Sequence, residues 1–321
     1  MTRIYDCFLY HDEVELLEIR LELLAEVVDC VVIVTAAETF AGLRKSFSFP
    51  AKNPMVLRYS SRIRVVYLDR LPGSDTWSKE NFSRNAITQG LSDAKTDDWI
   101  VVSDIDELPR PDVLAGLKHQ AERNGPIVLD LEYFNFKFNY KLVHGLQAAW
   151  PGPVLCRLRE FRSAQELRNM RWRLLEDPNS CIEYAGWHFS FLTVTADVSQ
   201  KLASHAHQEE SIQSRRENVD SLIATRQGFH DHLHPGSVWA VVPVNSFRCA
   251  SLERLVALFP RLVSSANVDD SHTLDRAFRH SVRKMRDYER SKSLVWYRWH
   301  ELLAELFVRL KRRLFRAFQK K

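Results

Sequence analysis

The chain begins with apolar runs that keep changing their period. "IYDCFLY" is followed by "EVELLEIRLELLAEVV", where Leu16, Ile19, Leu23 and Val27 recur on one helical face, and then by the β-branched run "CVVIVTA". "IRVVYLD" and "WIVVSD" repeat the strand pattern, and "KENFSRNAITQGL" between them reads as a helix. A further helix is expected from Pro111 to about Arg123, because Pro is tolerated in a first turn and Asp112 suits the positive end. "PIVLDLEYFNFKFNYKL" alternates strongly enough for one or two longer strands. This β-α-β alternation predicts an α/β fold whose central sheet is mostly parallel and flanked by helices. Further along, "WPGP" and "EDPNS" signal loops, residues 196–226 read as helical and polar, and "GFHDHLHPGS" reads as a His-rich loop. A short strand "VWAVVPV" and a helix near 251–258 follow. Past about residue 270 the chain is helical in pattern, rich in arginine and free of Pro and Gly, which places a boundary between residues 1–268 and an extension, 269–321.

Within this pattern "DDWIVVSDIDELPRPDVL" stands out, because an apolar strand runs directly into Asp104, Asp106 and Glu107. Three acids in one place repel one another, and a strand that merely had to stop could use Gly, Asn or Ser. In an extended segment Asp104 and Asp106 project to the same side, about 6–7 Å apart along the chain, while Ile105 turns to the core. Ligands of open α/β sheets bind at this C-terminal strand edge. Hard divalent cations prefer oxygen ligands and also bind phosphate, so the pair suits a metal that bridges to a diphosphate. A solvated acidic turn is the plainer reading, and it fits Asp97 and Asp98 better. Aspartyl-phosphate phosphohydrolases also carry D-x-D after a strand, but they place it on the first strand and continue differently at the position of Leu108.

"YDCFLYHDEVELLEIRLELLAEVVD", "TFAG", "WSKENFSRNAI", "VSDIDELPRP", "GWHFSF" and "AHQEE" occur in an order and spacing that resembles glycosyltransferase family 17, over about residues 3–265. The resemblance implies a GT-A-like nucleotide-sugar-binding fold and a Mn²⁺ or Mg²⁺ cofactor. It further implies transfer of a sugar, N-acetylglucosamine among the candidates, from a nucleotide-diphosphate donor to a glycan or lipid-linked acceptor, with inversion at the anomeric carbon. A protein that kept this fold for carbohydrate binding or membrane docking and lost turnover is the alternative.

Against that background other residues gain candidate roles. His188, in "AGWHFSF", is a third metal ligand beside Asp104 and Asp106 or a diphosphate contact, weighed against a satisfied core histidine; Trp187 beside it reads as core. Inverting transfer needs a base for the acceptor hydroxyl, sought among Glu209, Glu107 and Asp231, with Glu183 and Glu132 as further carboxylates. Glu209 belongs to an H-x-E element with His207. Arg84 and Asn85 are expected at the donor, although Glu80 and Arg84 at i and i+4 also make an ordinary helical ion pair. Asp6 and Glu13, near the end of the first strand, are expected at the nucleotide base or ribose. Thr35 stands where family members commonly carry glutamate, which puts donor or acceptor preference in doubt. His230, His232 and His234 lack the cysteines or helical spacing of a zinc site.

Composition narrows the setting. With 321 residues, 45% of them hydrophobic, the chain can bury a large core, and a formal charge of +4 does not indicate nucleic-acid binding. Five scattered cysteines without a C-x-x-C pair read as reduced, core-filling thiols, and "MTRIYDCFLYHDEV" lacks the apolar segment of a secretory signal. A cytoplasmic setting is expected. In "SLVWYRWHELLAELFVRLKRRLFRAFQKK", Trp299, Leu302, Leu303, Leu306, Leu310, Leu314 and Phe318 form one stripe, with Arg309, Arg312, Arg313, Arg316 and Lys320 opposite. Such a basic amphipathic helix suits an anionic membrane surface, making residues 293–321 a candidate peripheral anchor.

Overall fold

A computed structural model describes residues 2–45, 49–120, 123–145, 148–192, 219–228, 231 and 236–292, with side chains as far as residue 281. The first half alternates as its pattern predicts: β1 (Ile4–Leu9), α1 (Val14–Leu24), β2 (Cys30–Ala36), α2 (Pro54–Arg58), β3 (Ile63–Leu68), α3 (Thr76–Asn85) and β4 (Trp99–Asp104). Strands β4, β1, β2 and β3 lie side by side in that order and are parallel throughout. Strands β1, β2 and β4 are buried almost end to end, as expected of strands covered on both faces, which explains their unbroken apolar runs. Asp75 starts α3 by accepting from the Ser78 amide at 2.8 Å while the Ser78 hydroxyl accepts from the Asp75 amide, a reciprocal cap.

After β4 come β5 (Glu107–Pro109), α4 (Pro111–Lys118), β6 (Ile127–Asn135), β7 (Tyr140–His144), β8 (Ala149–Arg157), α5 (Ala164–Asn169), α6 (Arg171–Leu175) and β9 (Cys181–Ser190). The chain continues through α7 (Val219–Ala224), β10 (Val238–Val241), α8 (Ala250–Ala257) and α9 (Ser271–Lys292). Here the expectation of a mostly parallel sheet needs refining. Strand β8 joins β4 antiparallel, β6 and β7 extend the sheet antiparallel to β10, and only the β6–β9 pair is parallel. The sheet is therefore mixed, ten strands among the described residues, with β5 and β9 off the main order.

"WPGP", expected as a loop, lies inside β8. Gly152 makes that possible, since a Cβ there would sit 2.3 Å from Leu131 Cδ1. The expected helix over 196–226 falls largely outside the described residues, apart from α7. Helix α9 is anchored to the sheet edge: Ser281 donates to the Gly236 carbonyl, and Phe278 packs edge-on to His144 at 4.7 Å.

Candidate active site

The site forms where β4 ends. Instead of continuing extended, the chain turns at Ile105–Asp106 and enters β5. Arg20 of α1 holds this turn from beneath. Its Nη1 donates to the carbonyls of Asp104 (3.1 Å), Ile105 (3.2 Å) and Glu107 (2.8 Å), and its Nη2 to the Ser103 hydroxyl (2.6 Å). The charge is met by Asp6, whose two oxygens accept at 2.7 and 2.6 Å. Asp6 is 1% exposed, so its expected place at a nucleotide is corrected: both carboxylate oxygens are already committed to Arg20, and no ligand reaches them.

Above the turn, Asp104 and Asp106 take different partners. Asp104 accepts from Arg84 Nη2 at 3.0 Å and from Arg168 Nη2 at 2.8 Å, yet its side chain stays 40% exposed. Burial would raise its pKa, but Arg168, Arg84 and Arg171 together hold the carboxyl well below the usual range. Asp106 instead lies 3.5 Å from His188 Nε2. That proximity follows from register, because β9 pairs antiparallel with β5, setting His188 opposite Glu107, and the Phe189 amide donates to the Asp106 carbonyl at 2.9 Å. The pairing depends on Gly186, where a Cβ would lie 2.1 Å from the Leu108 carbonyl oxygen.

The three-ligand set Asp104, Asp106 and His188 is accordingly not assembled. Among the described residues no three His, Cys, Asp or Glu side chains converge as metal ligands, because the turn separates the two aspartates and Asp104 is already neutralised by arginine. Asp106 and His188 remain together as one oxygen and one nitrogen donor. The ring of His188 lies against Trp150 at 4.4 Å and Tyr133 at 4.9 Å, and its Nδ1 is buried with no hydrogen-bond partner among the described residues. Burial pushes the Tyr133 phenol up to about 12, so that wall stays neutral.

Glu107 is fully buried, accepting from Arg168 Nη2 (2.6 Å), Trp150 Nε1 (2.8 Å) and the Asp104 amide (3.0 Å). Burial raises its pKa and Arg168 outweighs that, leaving the carboxyl low. A catalytic base needs access to the acceptor, so Glu107 is corrected from base to strut. Asp231 is also engaged, accepting from the Gly228 amide and from Trp239 Nε1, each at 2.8 Å. Asn85 is exposed and accepts from the Gln165 amide at 3.0 Å, tying α3 to α5. Glu13 precedes α1 and accepts from the His11 and Asp12 amides at 3.1 Å each. Arg84, joined to Glu80, Gln165 and Asp104, is part of the cluster. Trp187 is core, at 1% exposure. Glu209, His207 and the histidines of "HDHLH" lie outside the described residues.

The sequence reading missed Arg20, Arg168, Arg171 and Trp150. Only Arg20 left a signal, as a lone arginine within the apolar stripe of α1 between Leu16 and Leu24.

Residues 1–231 match the sequence profile described as glycosyltransferase family 17. The chain belongs to glycosyltransferase family 17. Among curated proteins it is similar to the human β-1,4-mannosyl-glycoprotein 4-β-N-acetylglucosaminyltransferase, at 24% identity over 232 residues, which is 63% of this chain and 43% of that protein. The rat protein of the same description matches at 24% identity with 42% of its length covered. The chain thus spans less than half the length of these family 17 relatives. Among solved structures, Staphylococcus aureus TarS 1–349 is similar at 13% identity, with 66% of this chain and 68% of that chain covered and a TM-score of 0.32. Glucosyl-3-phosphoglycerate synthase from Mycobacterium tuberculosis, solved with Mn²⁺, uridine diphosphate and phosphoglyceric acid, gives 12% identity, coverages of 60% and 69%, and a TM-score of 0.31. Likeness of this degree bears on neither site nor substrate. The mixed α/β sheet flanked by helices agrees with the GT-A-like fold implied by family 17.

Proposed function

We propose that this chain is a metal-dependent, inverting glycosyltransferase, moving a sugar from a nucleotide-diphosphate donor to a glycan or lipid-linked acceptor. The observation that carries the reading is the Asp106–His188 pair, 3.5 Å apart at the C-terminal edge of the parallel strands, beside the arginine-bound but half-open Asp104. Family 17 membership makes a sugar donor the natural occupant, and the similarity to β-1,4-mannosyl-glycoprotein 4-β-N-acetylglucosaminyltransferases favours N-acetylglucosamine.

Asp106 and His188 would hold Mn²⁺, since a carboxylate with an imidazole is a donor set that suits it. When bound, such an ion would neutralise charge on the departing diphosphate. The ring of His188 is held for that role by packing against Trp150 and Tyr133, which also stack on each other at 5.5 Å. Glu107 and Arg168 hold the floor, keeping the turn and Trp150 in place. Glu107 is buried and Asp231 engaged, so of the three carboxylates first considered Glu209 is the proposed base for the acceptor hydroxyl, a choice that rests on the sequence, with Glu183 and Glu132 as the alternatives. Placement at an anionic membrane surface through residues 293–321 stays a proposal resting on sequence. No described helix is long and apolar enough to cross a membrane.

The test is a thermal-shift screen of nucleotide-sugars with and without Mn²⁺, followed by nucleotide release for the best binder. A donor that stabilises the wild type only with Mn²⁺, and fails to do so with Asp106→Asn, supports the reading. Equal stabilisation of both proteins would sink the metal assignment, and binding without turnover across candidate acceptors would favour the non-catalytic alternative.

A further inference from the structure

Arg171 is the first residue of α6, one turn beyond Arg168, and it is held differently from its neighbours. Its guanidinium lies 5.8 Å from the Trp150 ring centre and 5.7 Å from that of Trp172, and among the described residues it makes no ion pair or hydrogen bond. The two indoles fix its position without using its five N–H donors. Close by, Glu80, Arg84, Asp104, Arg168 and Glu107 form a continuous row of ion pairs. Even there donors are in excess, since Arg84 Nε and Arg168 Nε are buried without acceptors. At the half-exposed Asp104 the row opens to solvent, and Arg171, set over the Trp150 whose indole donates to Glu107, is the arginine of this group without an ion pair among the described residues.

Resting on the transferase reading, we propose that Arg171 binds the terminal phosphate of the donor's diphosphate, meeting the charge that grows on it as the bond from the anomeric carbon to the phosphate oxygen breaks and the bond to the acceptor oxygen forms, the acceptor proton passing to the base. The phosphate oxygens supply the acceptors that the guanidinium lacks, and a planar donor fork suits them. The competing explanation is charge balance: three acids in the row face Arg84 and Arg168, and Arg171 evens the count. The two differ in what the free protein feels. Burial and then Arg168 push the Arg171 pKa down to about 10, so the folded protein does not compensate this charge fully. A balancing arginine stabilises the free fold, whereas a ligand-binding one costs it stability.

The experiment compares wild type, Arg171→Gln and Arg171→Lys by calorimetric titration with uridine diphosphate and uridine monophosphate in Mn²⁺, and by melting without ligand. Arg171→Gln is expected to bind the diphosphate about 10- to 100-fold more weakly, the size of lost charge-assisted hydrogen bonds, with the monophosphate nearly unchanged. Its ligand-free melting temperature should equal or exceed that of wild type, and Arg171→Lys should recover part of the affinity. Undiminished diphosphate binding by Arg171→Gln, equal loss for both nucleotides, or a lowered ligand-free melting temperature overturns the assignment and leaves the transferase reading standing. If wild type binds neither uridine diphosphate nor any other nucleoside diphosphate, the donor reading itself fails, and this assignment fails with it.

Discussion

At the residue scale, the Asp6–Arg20 pair clamps the turn that follows β4. Both side chains are 1% exposed, and removing one leaves the other charged and buried, which costs about 3–5 kcal/mol. Arg20→Met is therefore expected to lose about that much in urea unfolding; a loss below about 1 kcal/mol would mean the turn holds without its clamp. Asp104 and Glu107 add a pH dependence. Their carboxyls are lowered in the fold, so their contribution is complete above the unfolded values near 4 and drains away as pH falls towards the folded ones. Melting temperatures measured from pH 6 to pH 3 should fall below about pH 4, and Glu107→Gln should flatten that fall; identical curves would contradict it. The D-x-D segment was legible because acids behind an apolar strand need an explanation. Their partners were not: Arg168 comes from α5, and nothing local to its sequence says that the fold carries it to Asp104 and Glu107.

At the element scale, the short β5–β9 pairing brings the two halves of the site together. Gly186→Ala would force a methyl against the Leu108 carbonyl and Pro109 Cα. The expected outcome is destabilisation of about 1–3 kcal/mol together with loss of Mn²⁺-dependent donor binding, because His188 shifts away from Asp106. A stable variant with intact binding would show that the register is not what pairs them. The parallel half of the sheet was readable from unbroken β-branched runs. The antiparallel half was harder, because "WPGP" carries turn residues into β8, and only packing against Leu131 explains them.

At the scale of the whole molecule, one sheet runs without interruption through the β4–β8 pair, and Arg168 of α5 reaches back to Asp104 at the end of β4 and Glu107 at the start of β5. The two halves should therefore melt together, with far-UV and near-UV signals coinciding; separated transitions would mean that the seam is weak. At the β10 edge of the sheet, Arg226 and the Val241 amide both donate to Asp269, so the approach to α9 is tied to the same body. The stacking of Trp150 on His188 at 4.4 Å has an optical consequence. A paramagnetic ion held by that imidazole would dim the indole's fluorescence, and Trp150→Phe would remove the dimmed component. If the proposed site holds such an ion, the molecule carries its own gauge of occupancy, readable in a cuvette before any sugar has been identified.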